Sequence, residues 1–153
     1  MKRKISVCTS VALMLIGALS ATAQEMGYWR AESKTAKSIT GDVAISPAIL
    51  TINFYGFNIV RARDLGPAEV SSVFDADSNG NEKARLYGLN IPATKKFLHK
   101  NTLCGSDDTR WMVAYADGNS LQLAFFSGEK PPVFTVDAIS NSTSLCGTYS
   151  YVR

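Results

Sequence analysis

The run Asp75-Ala76-Asp77-Ser78-Asn79-Gly80 sets oxygen-bearing side chains at alternate positions ahead of a glycine. That spacing is the opening half of a calcium loop, in which alternate oxygens converge on the ion and the glycine makes the sharp turn. The second half departs from the pattern. Lys83 stands at the ninth position and Leu86 at the twelfth, where a bidentate Glu should close the cage. Asp75, Asp77 and Asn79 are therefore an incomplete calcium set, and the plainer reading is an exposed acidic turn built from the residues turns favour.

His99 is the only histidine, so a serine or cysteine nucleophile would have to use it as base, with a third residue to orient it. Its surroundings, Lys95-Lys96-Phe97-Leu98-His99-Lys100, read instead as a basic, partly solvated segment, and no Gly-x-Ser-x-Gly elbow is present. Asp107-Asp108 is the nominal carboxylate pair for hydrolysis, but adjacent side chains in a Gly-Ser-rich loop more naturally face solvent than flank a scissile bond. A pairing of Asp42 with Asp75 or Asp77 is the other carboxylate arrangement to look for. Glu129-Lys130-Pro131-Pro132 reads as a rigid turn, and there is no Gly-rich phosphate cradle. No catalytic residue and no cofactor are assigned.

Behind these residues stands a leader. Lys2-Arg3-Lys4 precedes an apolar run from Ile5 to about Leu19, and Ala21-Thr22-Ala23 supplies small residues ahead of Gln24. That order predicts a signal peptide over 1–23 with cleavage after Ala23. The apolar run is shorter than the roughly 20 residues a membrane span needs, and Cys8 lies too early in it for lipid attachment. The expected location is the periplasm or outside the cell, with no membrane span after cleavage. The three leader cations equal the whole formal excess of +3. The remaining chain is close to neutral, which removes the compositional hint of nucleic-acid binding.

After the leader two cysteines remain, Cys104 and Cys146, each within Leu-Cys-Gly. In an oxidising compartment they predict one disulfide. The alternatives are two free thiols or a metal pair, which lacks further Cys or His nearby.

Residues 24–153 make one domain of ordinary size. The patterning is strand-like almost throughout: Ser38–Ser46, Ile49–Phe54, Phe57–Ala62 after a Tyr55-Gly56 turn, Ala84–Leu89, Trp111–Ala116, Leu121–Phe126 and Thr148–Val152. Asp117-Gly118-Asn119-Ser120 is a hairpin signal. Pro67–Phe74 and Thr94–Lys100 are the two short helical candidates, neither long enough for a parallel crossover. The expected fold is all-β and mainly antiparallel, a small closed or nearly closed barrel of about eight strands with one or two short helices. The disulfide would tie the segment before the 111–126 hairpin to the last strand. Aromatics such as Trp29, Tyr87 and Trp111 would either fill such a barrel or line a ligand cavity in it. Asn141-Ser142-Thr143 fits the glycosylation pattern of a eukaryotic secretory pathway.

Several segments together carry a resemblance: Thr35-Ala36-Lys37-Ser38-Ile39-Thr40-Gly41-Asp42, Leu86-Tyr87, Leu103-Cys104-Gly105, Phe126-Ser127-Gly128 with Pro131 or Pro132, and Cys146-Gly147-Thr148-Tyr149-Ser150-Tyr151. They resemble an uncharacterised family of small secreted bacterial proteins. The resemblance implies a signal peptide, one domain and cysteines placed as here, and it brings no activity, cofactor or ligand with it.

The functional expectation is an exported, non-enzymatic binding module of the periplasm or cell envelope. Its partner would be a small apolar ligand inside the barrel or an envelope protein or polymer bound by loops such as 75–82 and 107–110. An inhibitor of lysozyme-type enzymes is a concrete version of the second, by fold-level analogy and without a Ser-Gly-x-x-Tyr loop. A carboxylate-based hydrolase and a structural component of the envelope are the competing classes.

Overall fold

Eight strands, each paired antiparallel with its neighbours in chain order, close into a barrel in this computed structural model, which describes residues 23–77 and 83–153. All but the last residue of the expected leader falls outside the described residues, as do Asn79 and Gly80 of the acidic turn. The strands are β1 (Gly27–Ala31), β2 (Val43–Ile45), β3 (Ile49–Ile52), β4 (Tyr55–Leu65), β5 (Ala84–Ile91), β6 (Thr109–Asp117), β7 (Ser120–Phe126) and β8 (Leu145–Val152). Closure runs through Arg30 opposite Val152 and Ala31 opposite Tyr151. The closed all-β expectation holds, and so does the disulfide between Cys104 and Cys146. No described helix is long and apolar enough to cross a membrane.

Three helices are described rather than one or two: α1 (Lys34–Ile39), α2 (Pro67–Phe74) and α3 (Val136–Ser140). The alternating stretch Ser38–Ser46 is therefore only partly strand. Ser33 accepts a hydrogen bond from the Ala36 amide and caps α1, a local bond that outweighs a brief polar-apolar alternation. Thr135 caps α3 in the same way, through the Ala138 amide. Thr94–Lys100 forms only a single tight turn over Leu98–Lys100. The turn expected at Tyr55-Gly56 sits two residues earlier: Ile52 pairs with Tyr55, so Asn53 and Phe54 make the bend.

Strand alternation divides the apolar residues between two cores. Met112, Ala114 and Ala116 of β6 join Leu121, Leu123 and Phe125 of β7 inside the barrel, with Trp29, Leu50, Ile52, Tyr87, Tyr149 and Tyr151. Val113, Tyr115, Ala124 and Phe126 point outward, into a second core beneath Val70, Val73 and Phe134. β6 and β7 are thus buried on both faces. A bulge lets β4 serve both cores. Ile59 faces in, the register slips between Arg61 and Arg63, and Leu65 then faces out beneath α2.

The interior tyrosines make the fold sensitive to alkali. Burial pushes the Tyr149 phenol up to about 12, and Tyr87 and Tyr151 are raised as well, with burial the leading cause in both. An unfolded tyrosine ionises near pH 10. Because folding raises these values, the stabilisation is complete below about pH 10 and is lost as the pH climbs through the folded values. Unfolding midpoints followed by circular dichroism are expected to hold steady up to about pH 10 and then fall steeply. A midpoint unchanged well above pH 11 would contradict a tightly packed interior.

Candidate functional site

The two mouths of the barrel are closed by different chemistry. At one, the chain enters β1 through Glu25, which is 1% exposed. The Tyr87 hydroxyl donates to its carboxylate at 2.6 Å, and Arg85 forms an ion pair with it. Arg85 Nε lies 3.7 Å from Asp64, which Arg61 meets at 2.6 Å. The β4 bulge explains this placement, since the slip sets Asp64 opposite Arg85. Arg61 is the main cause that holds the Asp64 carboxyl below its usual range. The C-terminal Arg153 closes the same mouth: its guanidinium lies 4.3 Å from the Trp29 ring centroid and donates to the Gln24 and Met26 carbonyls. Among the described residues, the charged groups named at this mouth are paired with one another or with backbone carbonyls.

The other mouth is covered by a lid made of α1 and the 92–108 segment. Ala36, Phe97 and Leu103 enter the interior core from above, and the buried Thr40 hydroxyl sits 2.7 Å from the Tyr151 hydroxyl. His99 Nδ1–H and Asn101 Nδ2 both donate to the Ser38 carbonyl at 3.1 Å and so join the two pieces. Gly41, with φ of +62°, turns the chain out of α1 so close to Leu98 that a Cβ would lie 3.2 Å from its Cδ1. The disulfide ties the far end of the lid to the start of β8.

Beside this lid projects the β3–β4 hairpin. Its two bend residues, Asn53 and Phe54, have φ of +48° and +67°. A two-residue turn with both φ values positive favours Asn-Gly. Phenylalanine in the second place costs about 1 kcal/mol relative to glycine. The strain is spent on display, for the Phe54 side chain is 99% exposed. Tyr55, which follows, is 52% exposed and carries Lys95 Nζ 2.8 Å above its ring centroid. His99 and Lys100 form a second left-handed pair on the lid. Between hairpin and lid runs a mainly apolar groove of about 380 Å³, lined in part by Tyr28, Asp42, Thr51, Phe54 and Leu98. The Tyr28 hydroxyl, and after it the Ala31 amide, hold the Asp42 carboxyl below its usual range.

The residues singled out in the sequence do not assemble into one site. His99 is a lid brace. Asp108 accepts from the Ala93 amide and pairs with Arg110, both at 2.9 Å, while Asp107 is exposed. Asp42 lies at the lid end, and Asp77 shares a groove with Asp117 at the opposite end of the strands. Asp75 ends α2 as its left-handed cap, and among the described residues no group of three His, Cys, Asp or Glu could hold a metal ion. Glu129, Lys130, Pro131 and Pro132 line an open groove against α3, with Asn141 on its far side. Trp29 and Tyr87 are interior. Trp111 is not: it joins the outer core and donates to the Gly128 carbonyl at 3.1 Å. The grooves described here lie on the outside of the molecule, while Trp29, Tyr87, Phe125, Tyr149 and Tyr151 are all at most 1% exposed in one packed cluster.

Two features escaped the sequence reading. Glu25 carries no signal beyond its place beside the expected cleavage point. Phe54 was hidden because Asn-Phe is an unfavourable pair at the bend of a tight hairpin and the nearby Gly56 draws the expected turn to itself. Comparison of the chain with protein-family models, curated proteins and solved structures found no match.

Proposed function

We propose that this protein is an exported, non-enzymatic binding module of the periplasm or cell envelope that works through its outer surface. The observation that carries this reading is the contrast between a filled interior and a displayed aromatic. Trp29, Tyr87, Tyr149 and Tyr151 occupy the space a carried ligand would need, whereas Phe54 is held out at the cost of backbone strain. Exposed aromatics beside polar groups are the usual anchors of a binding surface. The leader, the disulfide and the resemblance to small secreted bacterial proteins support the export half of the reading.

Native mass spectrometry of protein taken from the periplasm, with an envelope co-sedimentation assay beside it, tests both halves. The expected mass is that of residues 24–153 alone, lower by about two hydrogens for the disulfide. A small molecule that is released on denaturation would make the barrel a carrier and overturn the surface reading. In the sedimentation assay the protein is expected to pellet with envelope fractions and the Phe54→Gly variant to remain in the supernatant. Glycine suits the left-handed bend better than phenylalanine, so the variant should be at least as stable as the parent.

A further inference from the structure

The lid end brings together cations and aromatics. Residues 34–41 and 92–108, which build the lid, contain Lys34, Lys37, Lys95, Lys96 and Lys100 with His99, against two acids, Asp107 and Asp108, the second of which is held by Arg110 and the Ala93 amide. Those five lysines are not gathered into ion pairs within the described residues. The chain after the leader is close to neutral, so this is a segregation of charge and not an overall excess. Asp42 is the acid at the groove beside the lid, and Tyr28 and the Ala31 amide already occupy its oxygens. Tyr55 carries Lys95 against its ring, and Phe54 precedes it at the exposed hairpin tip.

We infer that the lid end docks on an anionic phospholipid surface, with Phe54 entering the interface and the lid lysines meeting the headgroups. This rests on the reading of the protein as a surface-binding module and names the partner of that surface. Charge complementarity points to an anionic partner. The shape of the apolar element points to a bilayer more than to an acidic protein. A protein partner covers about 800 Å² with a packed central cluster. Here the exposed aromatics are Phe54 at the apex of a hairpin, Tyr55 behind it with Lys95 against its ring, and Tyr28 in the adjoining groove, whose hydroxyl is taken up by Asp42. A fluid interface accepts such a projecting ring without a preformed pocket, and it favours amphipathic tyrosine and lysine at its boundary.

The test uses the mature protein and vesicles of phosphatidylethanolamine with phosphatidylglycerol, against phosphatidylcholine alone. Sedimentation with the anionic vesicles is expected, and little with the zwitterionic ones. Phe54→Gly should weaken the partition by at least about tenfold. Reversing Lys95, Lys96 and Lys100 to Glu should weaken it by about a hundredfold or more, and so should high salt. A Phe54→Trp variant should show a blue-shifted emission on mixing with anionic vesicles, which reports entry of this side chain in particular. No sedimentation with anionic vesicles, or sedimentation that Phe54→Gly leaves unchanged, would overturn the inference. Binding to envelope fractions that survives lipid extraction, without binding to pure vesicles, would point to an acidic protein partner. That result would sink the lipid assignment and leave the surface-module reading standing. Loss of binding to envelope and vesicles alike would sink both.

Discussion

Replacing Glu25 with Ala is expected to cost about 3–5 kcal/mol of folding stability, the range for removing one partner of a buried ion pair. The residue is 1% exposed and joins Arg85, itself only 15% exposed, to the Tyr87 hydroxyl. Without the carboxylate a guanidinium is left facing a mouth packed with Trp29 and Met26, with only Asp64 at 3.7 Å to answer it. Tyr87 loses the acceptor of its hydroxyl as well. The Trp29 indole keeps its bond to the Glu25 carbonyl in the variant, because that bond is to the backbone. The loss can therefore be assigned to the carboxylate. Guanidinium unfolding of parent and variant gives the number. A second variant, Glu25→Leu with Arg85→Met, removes both charges and is expected to lose much less, because no buried charge is left unpaired. A loss under 1 kcal/mol for Glu25→Ala would mean that this mouth is wetter than its packing indicates.

The two mouths differ in how far the sequence announces them, and the reason is range. What the sequence shows well is local. Gly66, Pro67 and Glu69 mark the start of α2, and Asp117 to Ser120 mark the β6–β7 hairpin, where the register confirms the turn. The unbroken apolar runs 111–116 and 123–126 also carry a local sign, since a strand buried on both faces needs no polar alternation. They were legible as strands, although the outer core they serve was not, because Val70 and Phe134 reach it from distant parts of the chain. Glu25 was invisible for the same reason. Its partners lie about sixty residues away, and nothing near it distinguishes a core carboxylate from a solvated one.

The candidate surface lies between these cases. Residues 95–100 read as a basic, partly solvated segment, as the structure has it, and the aromatics read as core because most aromatics are. Phe54 is the exception, and it turned on a register error of two residues. With the bend at Tyr55-Gly56, Phe54 would end a strand and pair inward. With the bend at Asn53-Phe54, it becomes the tip. A slip of that size changes which side chains leave the sheet, and so it changes the function read from it. The pairing of Asp42 with Asp77 is not formed, since barrel closure places the two at opposite ends of the strands.

Loss of the disulfide is the other large effect expected, at about 4 kcal/mol for the loop it closes, in the chain-entropy account. Cys104 and Cys146 are 42 residues apart, and the loop between them contains β6, β7 and α3. In the fold the bond fastens the 92–108 lid segment to the first turn of β8, beside Thr109, whose hydroxyl donates to Cys104 Sγ at 3.2 Å. The other contacts that seat this segment are the two bonds to Ser38, the insertion of Phe97 and Leu103, the edge contact of Phe97 with Phe57 and Lys95 against the Tyr55 ring. A double variant, Cys104→Ser with Cys146→Ser, should therefore lose stability unevenly. The unfolding midpoint should fall by most of the predicted amount. Hydrogen exchange should speed first at the Phe97 and Asn101 amides, which bond only within the lid. The amides of β6 and β7 should stay protected until global unfolding. For a domain whose whole stability is expected to be about 5–15 kcal/mol, such a loss explains why the fold suits an oxidising compartment. It also bears on the lid as a binding face, since the lysines lie on the segment that the bond holds down. A reduced protein that keeps both its midpoint and its lid protection would show that packing alone seats the lid. A uniform rise in exchange across the barrel would show that lid and barrel unfold as one unit.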